Sequence, residues 1–153
     1  MNLAAKSNYT KIVNLLLSQE EIEICYKAFK NTPIKEITIP CFIKSIGDEA
    51  FNECMELRSV LFEVPSSCKK IGKKAFNYCV ALNDIEIPES VTSIGKKAFF
   101  NCMHFKKFRV PRSVTDIGKN ALKNCGNLDE LIIPSYFNTE DIGVFGLTKI
   151  MKY

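Results

Sequence analysis

Two hydrophobic patterns alternate along the chain and return at a near-fixed interval. One is a short period-2 run closed by proline: Ile85, Ile87 and Pro88, then Phe108, Val110 and Pro111, then Leu131, Ile133 and Pro134. Alternation of this kind predicts a short strand with one buried face, and proline ends it because it has no N–H to give a ladder. The other pattern is Ile-Gly-x-x-Ala-Phe-x-x-Cys. It places Ala98, Phe99 and Cys102 at i, i+1 and i+4, which predicts one face of a short helix or helical turn.

The second pattern recurs as Ile46 to Cys54, Ile71 to Cys79, Ile94 to Cys102 and Ile117 to Cys125, at spacings of 25, 23 and 23 residues. A degenerate copy precedes it at Ile24 to Thr32, with Cys25 in the glycine place and Thr32 in the cysteine place, and a fading copy follows at Ile142 and Gly143. Atypical end units are what a repeat array needs. A lone unit of about 23 residues buries too little apolar surface to offset its ordering entropy. Stacking buries both sides of each unit, so the pattern predicts a parallel solenoid with strands about 4.8 Å apart.

From Ile87 onward the residues Ile-Pro-Glu-Ser-Val-Thr-Ser-Ile-Gly-Lys-Lys-Ala-Phe-Phe-Asn-Cys resemble the BspA-like type of leucine-rich repeat almost letter for letter, except that Phe105 stands where the family has leucine. The resemblance covers about residues 34–143. It implies a right-handed, curved leucine-rich-repeat solenoid of the α/β repeat class, with a short-stranded parallel sheet and a binding role. The chain departs from the pattern between Cys54 and Pro65, where two extra residues lie within Leu57–Val64. A bulge or wider turn that disturbs the sheet near Val60 and Leu61 is expected there.

The ends differ from the middle. Leu3, Ala4, Ala5, Asn8, Ile12, Val13 and Leu15 to Leu17 resemble an ankyrin-like half-repeat over residues 3–17. No second copy follows for it to stack on, so no ankyrin array is inferred. Residues 1–33 are expected to form a helical N-terminal cap with a degenerate first repeat, and Ser18 to Glu21 fits a capping box. The apolar tail at 144–153 is expected to act as a C-terminal cap that covers the open edge of the last strand. A homo-oligomer built through an end or edge fits the same pattern.

Composition narrows the class. With 153 residues, 46% hydrophobic and 25% charged, the chain fits one soluble domain, and a net charge of +4 does not by itself argue for nucleic acid. No apolar run approaches the roughly 18 residues of a membrane-spanning helix. No basic n-region or cleavage site marks a leader, and the seven cysteines are odd in number. A cytoplasmic chain with reduced thiols is the expectation.

Candidate chemistry is absorbed by the repeat. Cys54, Cys79, Cys102 and Cys125 share one repeat position, as in a buried core ladder, and none forms a C-x2-C pair. Cys68 takes the Val91 place and should face inward, while Cys41 should be more exposed. His104 lies two residues from Cys102, but no orienting acid recurs nearby, so a Cys–His nucleophile is not supported. Gly47, Gly72, Gly95 and Gly118 recur singly, unlike a phosphate loop, and read as turn glycines. Ser90 and Ser113 fall in turns. Neither an enzyme nor a cofactor is expected.

Surface columns carry what remains. Stacking aligns Lys73, Lys74, Lys96, Lys97 and Lys119 into a basic stripe, in which charges about 5 Å apart repel by up to about 1 kcal/mol in water. An acidic partner or phosphate could use that stripe; a solvated, solubilising face is the simpler account, because solubility alone requires interspersed surface charge. On the strand face, Asp84 and Glu86 give way to Lys106, Lys107 and Arg109, then to Asp129 and Glu130. This banding fits internal pairing, and the face is where leucine-rich repeats usually bind. Phe100 takes a column held elsewhere by Asn52, Asn77 and Lys123, expected to face outward, and is a candidate hot spot near Tyr78. The expectation is a non-catalytic protein-interaction scaffold that binds a protein partner through Asp84, Glu86, Lys106, Lys107, Arg109 and Phe100. The alternatives are a self-assembling structural homo-oligomer and, as the resemblance implies, a BspA-like surface adhesin.

Overall fold

The computed structural model describes residues 22–144 and 148–153. The chain winds through successive coils, each with three sides. One side is a two-residue strand leading into the glycine: β1 (Glu23–Ile24), β3 (Ser45–Ile46), β5 (Lys70–Ile71), β7 (Ser93–Ile94) and β9 (Asp116–Ile117). The next is the turn segment running to the cysteine. The third is the Ile-x-Ile strand: β2 (Glu36–Ile39), β4 (Ser59–Phe62), β6 (Asp84–Ile85), β8 (Lys107–Arg109) and β10 (Glu130–Ile133), followed by the tail strand β11 (Lys149–Lys152).

Every pairing is parallel. The first side forms a five-stranded sheet in the order β1-β3-β5-β7-β9. The third side forms two three-stranded sheets, β2-β4-β6 and β8-β10-β11. The first sheet was not anticipated, because two residues are too short to show a period-2 pattern.

Among the described residues there is no helix, which corrects the α/β class and the helical turn expected for Ala98 to Cys102. Left-handed residues interrupt each turn segment at two places: Glu49 and Glu53, Lys74 and Tyr78, Lys97 and Asn101, Asn120 and Asn124, all with φ between 55° and 63°. They turn alternate amides out of the coil. Ala50, Asn52 and Cys54 donate within the coil to Gly47, Glu49 and Phe51, whereas Glu49, Phe51 and Glu53 donate to Lys73, Ala75 and Asn77 of the next. A helix satisfies its amides internally and leaves none for a neighbour. A stacked array needs those bonds between coils.

The helical part of the expected N-terminal cap falls on residues outside the described ones. From Ile22 the chain already forms a regular coil, in which Glu23 and Ile24 pair with Ser45 and Ile46. At the other end β11 pairs with β10 over four residues, so the tail does cover the β10 edge. The Tyr136 hydroxyl donates to the Val114 carbonyl at 2.7 Å, in the column where Ser90 and Ser113 donate to Cys68 and Val91.

The core is a set of columns. Phe29, Phe51, Phe76 and Phe99 stack at 5.0, 5.0 and 5.4 Å, with rings within 5° of parallel. Ile94, Ala98, Phe99 and Cys102 are all buried, as the repeat predicts, and so is Cys68; Cys41 is half-buried. The glycines serve close approach, not a left-handed turn. A Cβ on Gly95 would lie 2.5 Å from the Lys73 nitrogen, and one on Gly118 only 2.2 Å from the Lys96 nitrogen.

Candidate functional site

On the third side, each coil hangs its strand from the one before. The amide of Arg58 donates to the Lys35 carbonyl at 2.7 Å, Asn83 to Arg58 at 3.1 Å, Asp129 to Lys106 at 2.9 Å and Lys149 to Asp129 at 2.8 Å. The series lapses once. Among the described residues no bond joins the Lys106 amide to Asn83, and β6 does not pair with β8.

The coil that lapses is the one with Phe105 and Phe108 where its neighbour has Leu82 and Ile85. Both phenylalanines are buried and pack on Phe99, at 6.0 and 5.0 Å. A close-packed interior has no slack for two extra rings, so the strand that carries them does not sit at ladder distance from β6. The two-residue insertion adds to the opening, and the disturbance expected near Val60 and Leu61 falls on one side of the strand only. Val60 and Leu61 lie in a regular strand, paired with Ile37 and Thr38. The extra length follows them, and a cis peptide joins Val64 to Pro65. Pairing of β4 with β6 reaches only Val60 and Ile85, which leaves Leu61 and Phe62 without a strand on that side.

The result is a groove of about 740 Å³ across the lapse. Val60, Ile85 and Ile87 supply its buried apolar wall, and Leu61 and Val64, 57% and 86% exposed, form its rim. Glu86 and Glu89 lie on the β6 side, Lys107 and Arg109 on the β8 side.

The sequence-predicted residues divide accordingly. Glu86, Lys107 and Arg109 come together at the groove, with Lys106 exposed beside them. Asp84 belongs to β6, and its side chain lies outside the described residues. The basic band is largely spoken for: Lys106 pairs with Asp129 at 3.8 Å, Lys107 with Glu130 at 2.8 Å and Arg109 with Glu89 at 2.8 Å. Exposed pairs of this kind stabilise by about 0–1 kcal/mol each, so they neutralise the band more than they hold the fold.

Phe100 is not on this face, and its column does not point outward. Asn52 and Asn77 in that column are buried, and the Asn77 amide donates to the Asn52 carbonyl oxygen at 2.6 Å. Phe100 is half-buried, 5.9 Å from the Tyr78 ring, with the Lys97 ammonium 5.0 Å above it. Leu61, Phe62, Val64 and Ile87 were missed as site residues. The signals that could have found them were present: the insertion and the Phe105 departure flank the same gap.

The reactive groups face elsewhere. Cys54, Cys79, Cys102 and Cys125 each donate to the carbonyl of a phenylalanine in the preceding coil, at 2.9 to 3.3 Å. Burial raises all four thiols above their ordinary range, Cys125 to about 12, so thiolate chemistry at neutral pH is suppressed. His104 is exposed, and its Nδ1 donates to the Val80 carbonyl at 2.5 Å, away from Cys102. Among the described residues no group of three His, Cys, Asp or Glu could hold a metal, and no helix is long and apolar enough to cross a membrane.

Known proteins show the same architecture. No curated protein matches the chain. A leucine-rich repeat protein of T. pallidum is 26% identical, with a TM-score of 0.71 over 84% of this chain and 62% of its own. One from Bacteroides ovatus, at 23% identity, shares the fold with a TM-score of 0.61 over 84% of this chain and 44% of its own. The chain thus spans less than two thirds of either. The model of the BspA type leucine rich repeat region matches residues 5–64 and 61–152 in six copies, beginning within the stretch that resembles an ankyrin half-repeat. The chain belongs to the BspA-type leucine-rich repeat family.

Proposed function

We propose that the chain is a non-catalytic protein-interaction module that captures a protein partner at the groove between β6 and β8. One observation carries this: the sheet opens at a single coil, and there two large apolar side chains, Leu61 and Val64, stand in solvent beside charges already paired with one another. Exposed apolar side chains flanked by charged ones are the anatomy of a binding surface. Burial of five unpaired thiols in the core supports a reducing, cytoplasmic setting. Affinity capture followed by mass spectrometry tests the site. A Leu61→Glu, Val64→Glu variant should lose the proteins that the native chain retains. If both retain the same set, the groove is not the site.

A second reading rests on β11, whose outer edge pairs with no strand among the described residues and where Ile150 is 39% exposed. An open parallel edge invites a strand from a second copy. Light scattering at high micromolar concentration checks it: a strict monomer excludes self-assembly through β11.

A further inference from the structure

The geometry points to a second binding surface, on the turn face, in which a column of three lysines takes a short acidic helix of a protein partner. The residues that follow the stacked glycines run, coil by coil, Asp48, Lys73, Lys96 and Lys119, and Asp141 closes the series. Backbone bonds lock the register: Lys74 donates to the Lys96 carbonyl, Lys97 to Lys119 and Asn120 to Asp141. All three lysines are exposed, and among the described residues none lies within ion-pair distance of a carboxylate.

Paired lysines do occur elsewhere on the molecule. One coil earlier, the turn face supplies Glu49 to Lys27 and Lys30, at 3.8 and 3.5 Å. The strand face likewise pairs Lys106, Lys107 and Arg109. Two acids of these coils are engaged: Asp48 accepts the Lys73 amide at 2.8 Å, and Asp116 accepts the Ser93 hydroxyl at 3.2 Å. Like charges on successive coils repel, and an acidic row opposite them removes the repulsion.

Spacing selects the form of that row. The coils repeat at 5.0 to 5.4 Å, as the stacked phenylalanines show. A helix rises about 5.4 Å per turn, and its side chains at i, i+4 and i+7 form a row at nearly that interval. Same-side residues of an extended chain lie about 6.7 Å apart and drift out of register within three coils. A nucleic-acid strand would want open aromatic faces, but the Tyr78 ring leans on Phe100 at 5.9 Å, tilted by 49°, and Lys97 covers Phe100. Asp48 and Asp141 bound the column, so a fourth carboxylate in the row would meet a carboxylate. The occupant is a helical segment with three acidic residues in one row and none beyond.

Fluorescence anisotropy with labelled probes tests this. The probes are an alanine-rich helical peptide with three glutamates in one row, the same composition with the glutamates scattered around the helix, and an oligothymidylate. The row peptide should bind the native chain and weaken on going from low to moderate salt. Its affinity should fall about tenfold or more in a Lys73→Glu, Lys96→Glu, Lys119→Glu variant whose circular dichroism melt is unchanged. Equal binding of the scattered peptide, tighter binding of the oligothymidylate, or no binding of the row peptide overturns the proposal. The Leu61→Glu, Val64→Glu variant should bind the row peptide as the native chain does, which separates this surface from the groove.

Discussion

The Cys102 thiol donates a hydrogen bond to the Phe76 carbonyl, one coil back, at 3.2 Å. The cysteine column is therefore a run of donors as well as a run of small apolar side chains. It gives carbonyls that already accept a backbone amide, as Phe76 does from Cys79 at 3.3 Å, a second donor that an alanine at this place would not supply.

Removing one of these donors should cost more than its volume suggests. Cys79 donates to the Phe51 carbonyl at 3.1 Å. That carbonyl keeps the Cys54 amide at 3.2 Å, so Cys79→Ala removes its second donor, at about 0.5–1.5 kcal/mol, and leaves a small cavity in addition. Urea denaturation should show the loss; an unchanged midpoint would mean that the bond contributes nothing.

The same thiols make stability depend on alkaline pH. Burial raises Cys68 to about 11 and Cys125 to about 12, above the usual thiol range near 8.5. In the unfolded chain they lose their protons first, so the unfolded state binds fewer protons and stability falls as pH rises. The contribution is complete below about pH 8.5 and declines through pH 11 to 12. Urea midpoints at pH 7.5 and 10.5 check the sign, and a higher midpoint at pH 10.5 would contradict it.

Gly95 and Gly126 should respond to alanine in opposite ways. A Cβ on Gly95 meets backbone at 2.5 Å, so Gly95→Ala should destabilise by about 1–3 kcal/mol. Nothing lies within 4 Å of a Cβ on Gly126, so Gly126→Ala should be neutral or stabilise by up to about 1 kcal/mol. Thermal melts of the two variants separate the effects.

Lys74 holds φ at 55° with a side chain that disfavours it. Lys74→Gly should relieve about 1 kcal/mol of backbone strain and raise the melting temperature, even though it removes a side chain. A lower melting temperature would show that the lysine packs more than it strains.

The lapse between β6 and β8 should show in amide exchange. Lys106 lacks the bond that Arg58, Asn83 and Asp129 make, so its amide should exchange fastest of the four. Phe105→Leu with Phe108→Ile should slow it by letting β8 close on β6. Unchanged exchange in that variant would separate the gap from the aromatic pair.

Much of this architecture could be read in advance because each repeat position answers to one local demand. Ile94, Ala98, Phe99 and Cys102 had to face inward, and Pro134 had to end a strand. The turn segment misled because apolar residues at i, i+1 and i+4 suit a helical face and a chain of tight turns alike. The difference lies in the left-handed backbone at Lys97 and Asn101, which side-chain pattern does not report. Asn52 and Asn77 misled for a related reason: a polar residue looks exposed until a stacked copy supplies its hydrogen-bond partner.

Period, core columns, strand ends and charge columns follow from the order of residues, since a repeat confines each position to one environment. Contacts between coils settled the rest. They decided that amides point to the next coil and not along a helix, that the glycines make room for a neighbour's backbone, and that Lys106, Lys107 and Arg109 find acids while Lys73, Lys96 and Lys119 do not. They also placed the groove, because whether two phenylalanines open a sheet depends on the packing of the coil beside them, which no single repeat encodes.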